Sequence, residues 1–163
     1  VARTFATYAL RPFGLESSFK QLVGTPGIDR IATCEDIDGS VLVVDDDPMI
    51  ADFIALVLRK AGYLPTTSVT LKGAQQQLQE THYDAMVTDL RLQDGHGLNL
   101  IREVRAQAAL AHMPILVVSA YCDEGQRLTH GQVDEFLAWL DKPVDEKKLL
   151  SMLDAVMNRA RAK

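Results

Sequence analysis

Cysteine, excess basic charge and long apolar runs are all scarce in this chain, and each shortage closes off a class of protein. The two cysteines, Cys34 and Cys122, lie far apart and neither belongs to a Cys-x-x-Cys pair. Neither a cysteine-based metal site nor a disulfide framework is therefore expected, and a reduced, cytoplasmic compartment is the simplest reading. Seventeen Lys and Arg against 22 Asp and Glu leave a formal net charge of −5. A general nucleic-acid binder needs a basic face to neutralise phosphates, so that function is not expected. No apolar run approaches the length of a membrane-spanning helix, and the first residues hold no sustained apolar segment of the signal-peptide kind. His82, His96, His112 and His130 show no ligand spacing and no neighbouring nucleophile, and all four read as surface or turn residues. Apolar residues, in contrast, make up 47% of the 163 positions. That is enough for a core, and the length suits one ordinary domain with some chain to spare.

From residue 41 onward, short apolar runs alternate with helical periodicity. Val41–Val44 is an unbroken apolar run, the pattern of a parallel strand buried on both faces. Pro48 suits a helix's first turn, and Ile50, Phe53, Ile54, Val57 and Leu58 follow at helical spacing up to Gly62. Tyr63–Thr67 reads as a weak second strand, then Leu71, Ala74, Gln75 and Leu78 mark a mostly polar second helix. Ala85–Thr88 is the third strand, and Asp94-Gly95-His96-Gly97 is a turn leading to a helix with Leu98, Ile101, Val104 and Arg105. Pro114 opens the fourth strand, Asp123–Gly131 holds a short fourth helix, and Glu135–Leu140 is the fifth strand. Leu149, Leu150, Leu153, Val156 and Met157 stripe the last helix. Five strands alternating with five helices predict a doubly wound α/β sheet with helices on both faces.

The chemistry-bearing residues fall at strand ends. Asp45, Asp46 and Asp47 follow the first strand, Asp89 the third, Ser119 the fourth, and Lys142 the fifth. In a parallel sheet those ends share one edge, where ligands bind. Carboxylates, a hydroxyl and a lysine converging there suit the binding of a hard divalent cation and the carriage of a phosphoryl group on aspartate. Asp47 reads separately, as the cap of the helix that starts near Pro48.

In these motifs the chain resembles the receiver domain of two-component response regulators, from about Val41 to Arg159. The resemblance implies the flavodoxin-like strand order 2-1-3-4-5, an order that general fold rules already give for receiver proteins. It implies Asp89 as the phosphoryl acceptor and Mg²⁺ as the cofactor. Asp46 would be a direct metal ligand, Asp45 would act largely through water, Asp89 would share the ion, and the backbone carbonyl of Arg91 would complete the protein's share. Lys142 would face Asp89 across from the metal, aimed by a cis bond to Pro143. Ser119 stands where the family has Thr or Ser, and Trp139 stands at the switching-aromatic position, usually Tyr or Phe. Gln93 replaces a proline common in the family. The implied donor is a histidine kinase or a histidine-phosphotransfer protein. The implied output is an altered surface on the fourth helix, fifth strand and fifth helix, a face open to pairing with a second copy.

The first 40 residues stand outside that count. Tyr8–Val23 matches Trp139–Asp154 at a constant offset, with Tyr8 on Trp139, Arg11 on Lys142, Pro12 on Pro143, Phe19 on Leu150 and Leu22 on Leu153. Residues 1–23 therefore read as the last strand and helix of a preceding receiver-like domain. Arg11 takes the lysine position there, residues 24–40 form a linker, and residues 41–163 are the receiver. A parent such as a hybrid sensor kinase with tandem receivers would fit, and on this reading no output domain is expected after the last helix. On this reading the chain is a self-phosphorylating signalling module rather than an enzyme that turns over a substrate. The alternatives are a pseudo-receiver that only binds partners, which the full Asp46, Asp89, Ser119 and Lys142 set opposes, and an aspartate-nucleophile phosphatase. The phosphatase would need a second acid two residues after its nucleophile, which Asp45 and Asp47 supply formally and Pro48 disfavours.

Overall fold

The computed structural model describes residues 38–129 and 134–162. Strands β1 (Gly39–Val44), β2 (Tyr63–Ser68), β3 (Ala85–Thr88), β6 (Ile115–Ser119) and β7 (Leu137–Asp141) form one sheet, and β4 (Arg91–Leu92) and β5 (Gly95–His96) form a separate small hairpin. The sheet order is β2-β1-β3-β6-β7 and every pairing is parallel, so the five main strands run 2-1-3-4-5 as expected. The helices are α1 (Pro48–Lys60), α2 (Leu71–Glu80), α3 (Gly97–Ala106), α4 (Cys122–Leu128) and α5 (Glu146–Arg161). The segment Tyr8–Val23, with Arg11 and the proposed preceding domain, lies outside the described residues, as does His130. Among the described residues, no helix is long and apolar enough to cross a membrane.

The unbroken apolar strands follow from burial on both sides. Along β1, Val41 and Val43 enter one core with Ile54, Val57 and Leu58 of α1 and Leu149, Leu153 and Val156 of α5. Leu42 and Val44 point the other way, into a core with Ala74 of α2 and Leu98, Ile101 and Val104 of α3. Because successive strand side chains alternate faces, a strand covered twice cannot alternate apolar with polar.

The helix boundaries have specific causes. Asp47 caps α1 by accepting the Met49 N–H at 2.9 Å, and Gly62 follows the helix at φ 91°, in the left-handed region that glycine tolerates. Thr70 accepts the Gly73 N–H at the start of α2, and Asp94 reaches over from the hairpin to accept the Leu71 and Lys72 N–H groups at 2.8 and 3.0 Å. Those backbone bonds hold the Asp94 carboxyl below its ordinary pKa. His96, read from sequence as a turn residue, caps α3 through Nδ1, which accepts the Leu98 N–H at 3.2 Å.

Among the boundaries that differ from the sequence reading, three stand out. β1 takes in Gly39 and Ser40, assigned to the linker, because Ser40 is fixed by its N–H and hydroxyl bonds to Asp84. The last strand begins at Leu137 rather than Glu135, since the Asp134 carboxylate takes the Phe136 N–H in a turn. Arg105 fastens that turn, with Nε 2.6 Å from Asp134 and further bonds to the Met113 and Phe136 carbonyls. Helix α4 spans Cys122–Leu128 and closes at Thr129, whose hydroxyl donates to the Gln126 carbonyl.

Candidate functional site

Continuation of the sheet ladders by one residue puts the site side chains together. The Asp45 N–H donates to the Ser68 carbonyl, the Asp89 N–H to Val44, and the Lys142 N–H to Ser119, at 2.9–3.1 Å. Each residue just past its strand is therefore held at backbone level before its side chain does anything. The Asp89 carbonyl is also crowded from behind. A Cβ on Gly97 would lie 2.0 Å from that oxygen and 3.1 Å from the Leu90 Cα, so only glycine lets α3 start there.

The Asp89 carboxylate is bonded unevenly. Its Oδ1 accepts from the Ser119 hydroxyl at 2.6 Å and from the Leu90 and Arg91 backbone N–H groups at 2.5 and 3.2 Å. Its Oδ2 accepts from Lys142 Nζ at 2.5 Å. The same ammonium donates to Asp45 Oδ2 at 2.7 Å, while Asp45 Oδ1 accepts the Asp47 N–H at 3.0 Å. Sequence reasoning aimed Lys142 at Asp89; the structure adds Asp45 as its second partner. The Lys142–Pro143 peptide is cis, as the resemblance implied.

Asp45, Asp89 and Ser119 are buried and Asp46 is half-buried. Burial pushes the Asp45 carboxyl above its ordinary pKa against the opposing pull of Lys142 and of the Asp47 N–H. Burial also works against the Lys142 ammonium, but its bonds to Asp45 and Asp89 outweigh that and leave its pKa raised. Asp45, Asp46 and Asp89 each offer an oxygen within 4.8 Å of the others. That span and the all-oxygen donor set suit a small hard cation such as Mg²⁺. Asp47 is exposed and committed to capping α1, so it stands apart from the cluster.

Arg91 and Tyr121 flank the pocket from β4 and from the start of α4. The Arg91 guanidinium lies 3.7 Å over the Tyr121 ring and pairs with Glu124 at 3.0 Å. Glu124 was not singled out from sequence; a lone acid in a short helix carries no signal of its own. Trp139 is half-buried on β7, against the core that holds Leu90.

A model of the response regulator receiver domain matches residues 41–154. The chain belongs to that family. It is 31% identical over 124 residues to the transcriptional regulatory protein GltR of Pseudomonas aeruginosa, covering 75% of this chain and 50% of that protein. It is 28% identical to the phosphate regulon transcriptional regulatory protein PhoB of Escherichia coli, covering 73% of this chain and 52% of PhoB. The chain thus spans about half the length of the curated relatives it matches. Among solved structures, a sensor protein from Polaromonas sp. JS666 superposes with TM-score 0.70 at 32% identity, covering 76% of this chain and 98% of that one. The receiver domain of the sensor histidine kinase PA1611 of P. aeruginosa, solved with magnesium in its active-site cleft, gives TM-score 0.65 at 27% identity, covering 74% and 98%.

Proposed function

We propose that this domain accepts a phosphoryl group on Asp89 from a phosphohistidine, on a histidine kinase or a histidine-phosphotransfer protein, and alters a partner-binding surface in response. One observation carries the reading: a single carboxylate is bonded at once by Lys142 Nζ, Ser119 Oγ and two backbone N–H groups, beside two further carboxylates.

Oδ1 already takes three donors and Oδ2 only one, so Oδ2 keeps the lone pair for attack on phosphorus. The new bond joins that oxygen to phosphorus as the phosphorus–nitrogen bond to the donor imidazole breaks, and the leaving ring takes up a proton. Charge builds on the equatorial oxygens during transfer, so the protein's task is positioning and electrostatic stabilisation. Lys142 is placed to follow a phosphoryl oxygen, and the Ser119 hydroxyl can turn from the carboxylate to another. Asp46, Asp45 and Asp89 would hold Mg²⁺, which would supply positive charge to neutralise the phosphoryl oxygens during transfer. The phosphatase alternative loses its second acid, because Asp47 is occupied with Met49 at the head of α1.

Incubation with acetyl phosphate and Mg²⁺ tests the proposal. The expected product is a single hydroxylamine-sensitive phosphoryl group per chain, formed without sustained phosphate release from p-nitrophenyl phosphate. Continuous turnover of that ester, with no acyl phosphate trapped, would replace the receiver mechanism by a phosphatase one.

A further inference from the structure

Gly125 sits inside α4 with no backbone reason to be glycine. Its φ is not positive, and glycine in a helix interior costs about 1 kcal/mol relative to alanine. The reason is space. A Cβ at position 125 would lie 2.5 and 2.9 Å from the Trp139 ring atoms Cζ3 and Cη2, and 2.7 Å from Leu90 Cδ1. Leu90 and Trp139 therefore meet on the bare backbone of α4. Leu90 is fully buried, and its own N–H is one of the donors on Asp89 Oδ1. The residue that touches the nucleophile with its backbone thus touches α4 with its side chain.

Helix α4 is otherwise held by few groups, Cys122 Sγ on the Ser119 and Leu140 carbonyls at 3.3 and 3.4 Å and the exposed Arg91–Glu124 pair. It has seven residues, no side-chain bond from Tyr121 at its cap, and only Cys122 and Gly125 buried. Elements of this kind sit at the low end of local stability and shift at small cost. We infer that Leu90 transmits the state of Asp89 to α4 and Trp139 through the gap left by Gly125, a route separate from the Ser119 hydroxyl. Phosphorylation withdraws charge from the Asp89 carboxylate and weakens its hold on the Leu90 N–H. Leu90 then moves within a close three-way contact, and α4 and the indole must move with it. This inference rests on Asp89 being the phosphoryl acceptor.

Trp139 is the chain's single tryptophan, so its emission reports on the joint directly. The experiment adds beryllofluoride and Mg²⁺ to the wild-type chain, Gly125→Ala and Leu90→Val, reading Trp139 emission while ¹⁹F NMR counts bound fluoride. Gly125→Ala should shift the emission before any addition. Read per bound fluoride, both variants should lose roughly threefold or more of the emission change that the wild type shows. Leu90→Val removes the contacting Cδ1 with little loss of volume, and it decides the matter alone if Gly125→Ala does not fold. Full wild-type emission changes in the variants with beryllofluoride bound would overturn the Leu90 route. Absence of bound fluoride on the wild-type chain itself would bring down the acceptor reading and the route with it.

Discussion

The carboxyl edge of the sheet and the α4 flank meet at Asp89 and Leu90, and they are held in very different ways. At the edge, parallel ladders run one residue past the strands, and Asp45, Asp89 and Ser119 are buried, with Ser119 bonded to Asp89 and Lys142 bridging the two carboxylates. On the flank, α4 is short and lightly buried, tied by Cys122 Sγ to the Ser119 and Leu140 carbonyls and by the Arg91–Glu124 pair, with side chains 55% and 42% exposed. Exposed pairs of that kind contribute about 0–1 kcal/mol. The contrast separates two tasks. Phosphoryl transfer needs atoms fixed to fractions of an ångström, whereas a response needs an element whose position costs little to change.

The sharpest way to break the comparison is at the fixed end. Asp89→Asn keeps the shape of the side chain and removes the nucleophilic charge, so labelling by acetyl phosphate should fall to background with the fold intact. Phosphate-affinity electrophoresis with a thermal melt reads both. Undiminished labelling of the Asn variant would move the chemistry to another residue. Next in size is Asp46→Ala, which should weaken Mg²⁺ affinity by about tenfold or more, followed through Mg²⁺-dependent quenching of Trp139. If quenching persists at wild-type concentrations, the acidic cluster is structural rather than a metal site.

The flank sharpens the comparison from the other side. Arg91 and Tyr121 are stacked beside the pocket, both bulky, and neither is suited to orient an attacking water. The phosphoryl group should therefore last on the order of tens of minutes or longer, since each tenfold in rate needs only about 1.4 kcal/mol of barrier. Replacing Arg91 by Asn and Tyr121 by Glu breaks the stack and the pair with Glu124, and should shorten the lifetime by about tenfold. A wild-type lifetime of seconds, unchanged in the double variant, would show that these side chains do not control access of water.

The fixed part of the molecule was legible in the sequence and the loose part was not. Val41–Val44 and Ala85–Thr88 announce buried parallel strands by composition alone, and a parallel sheet then forces Asp45, Asp89, Ser119 and Lys142 to one edge. Asp47 and Gly62 were readable as cap and terminator because their residue types suit those backbone positions. His96 was missed as a cap because histidine is not among the preferred cap residues. The bond from Lys142 to Asp45 was missed because spacing locates a side chain without counting its partners. Glu124, Gly125 and Leu90 were missed because their importance lies in contacts between elements. A glycine in a poorly marked helix looks like a weakness until Trp139 and Leu90 are seen filling its space.

The smallest expected effect concerns what the fixed edge costs the fold. Burial raises the Asp45 carboxyl above its ordinary value of 3.8, so the folded chain binds its proton more tightly than the unfolded chain does. Stability is therefore lost as pH rises from that ordinary value through the raised one. Lys142 runs the other way. Its raised value means that its contribution is fully present below the ordinary 10.5 and is lost only as pH climbs through the raised value. At neutral pH the lysine is thus already helping, and Asp45 still carries a net cost. Asp45→Asn should stabilise the metal-free domain by about 1 kcal/mol at pH 7 while weakening Mg²⁺ binding, a trade of function against stability. The gain should fade in melts at pH values well below 3.8, where Asp45 is protonated whether the chain is folded or not. A lower melting temperature for Asp45→Asn at pH 7 would mean that the Lys142 pair outweighs burial. The carboxylate would then be holding the edge together rather than straining it.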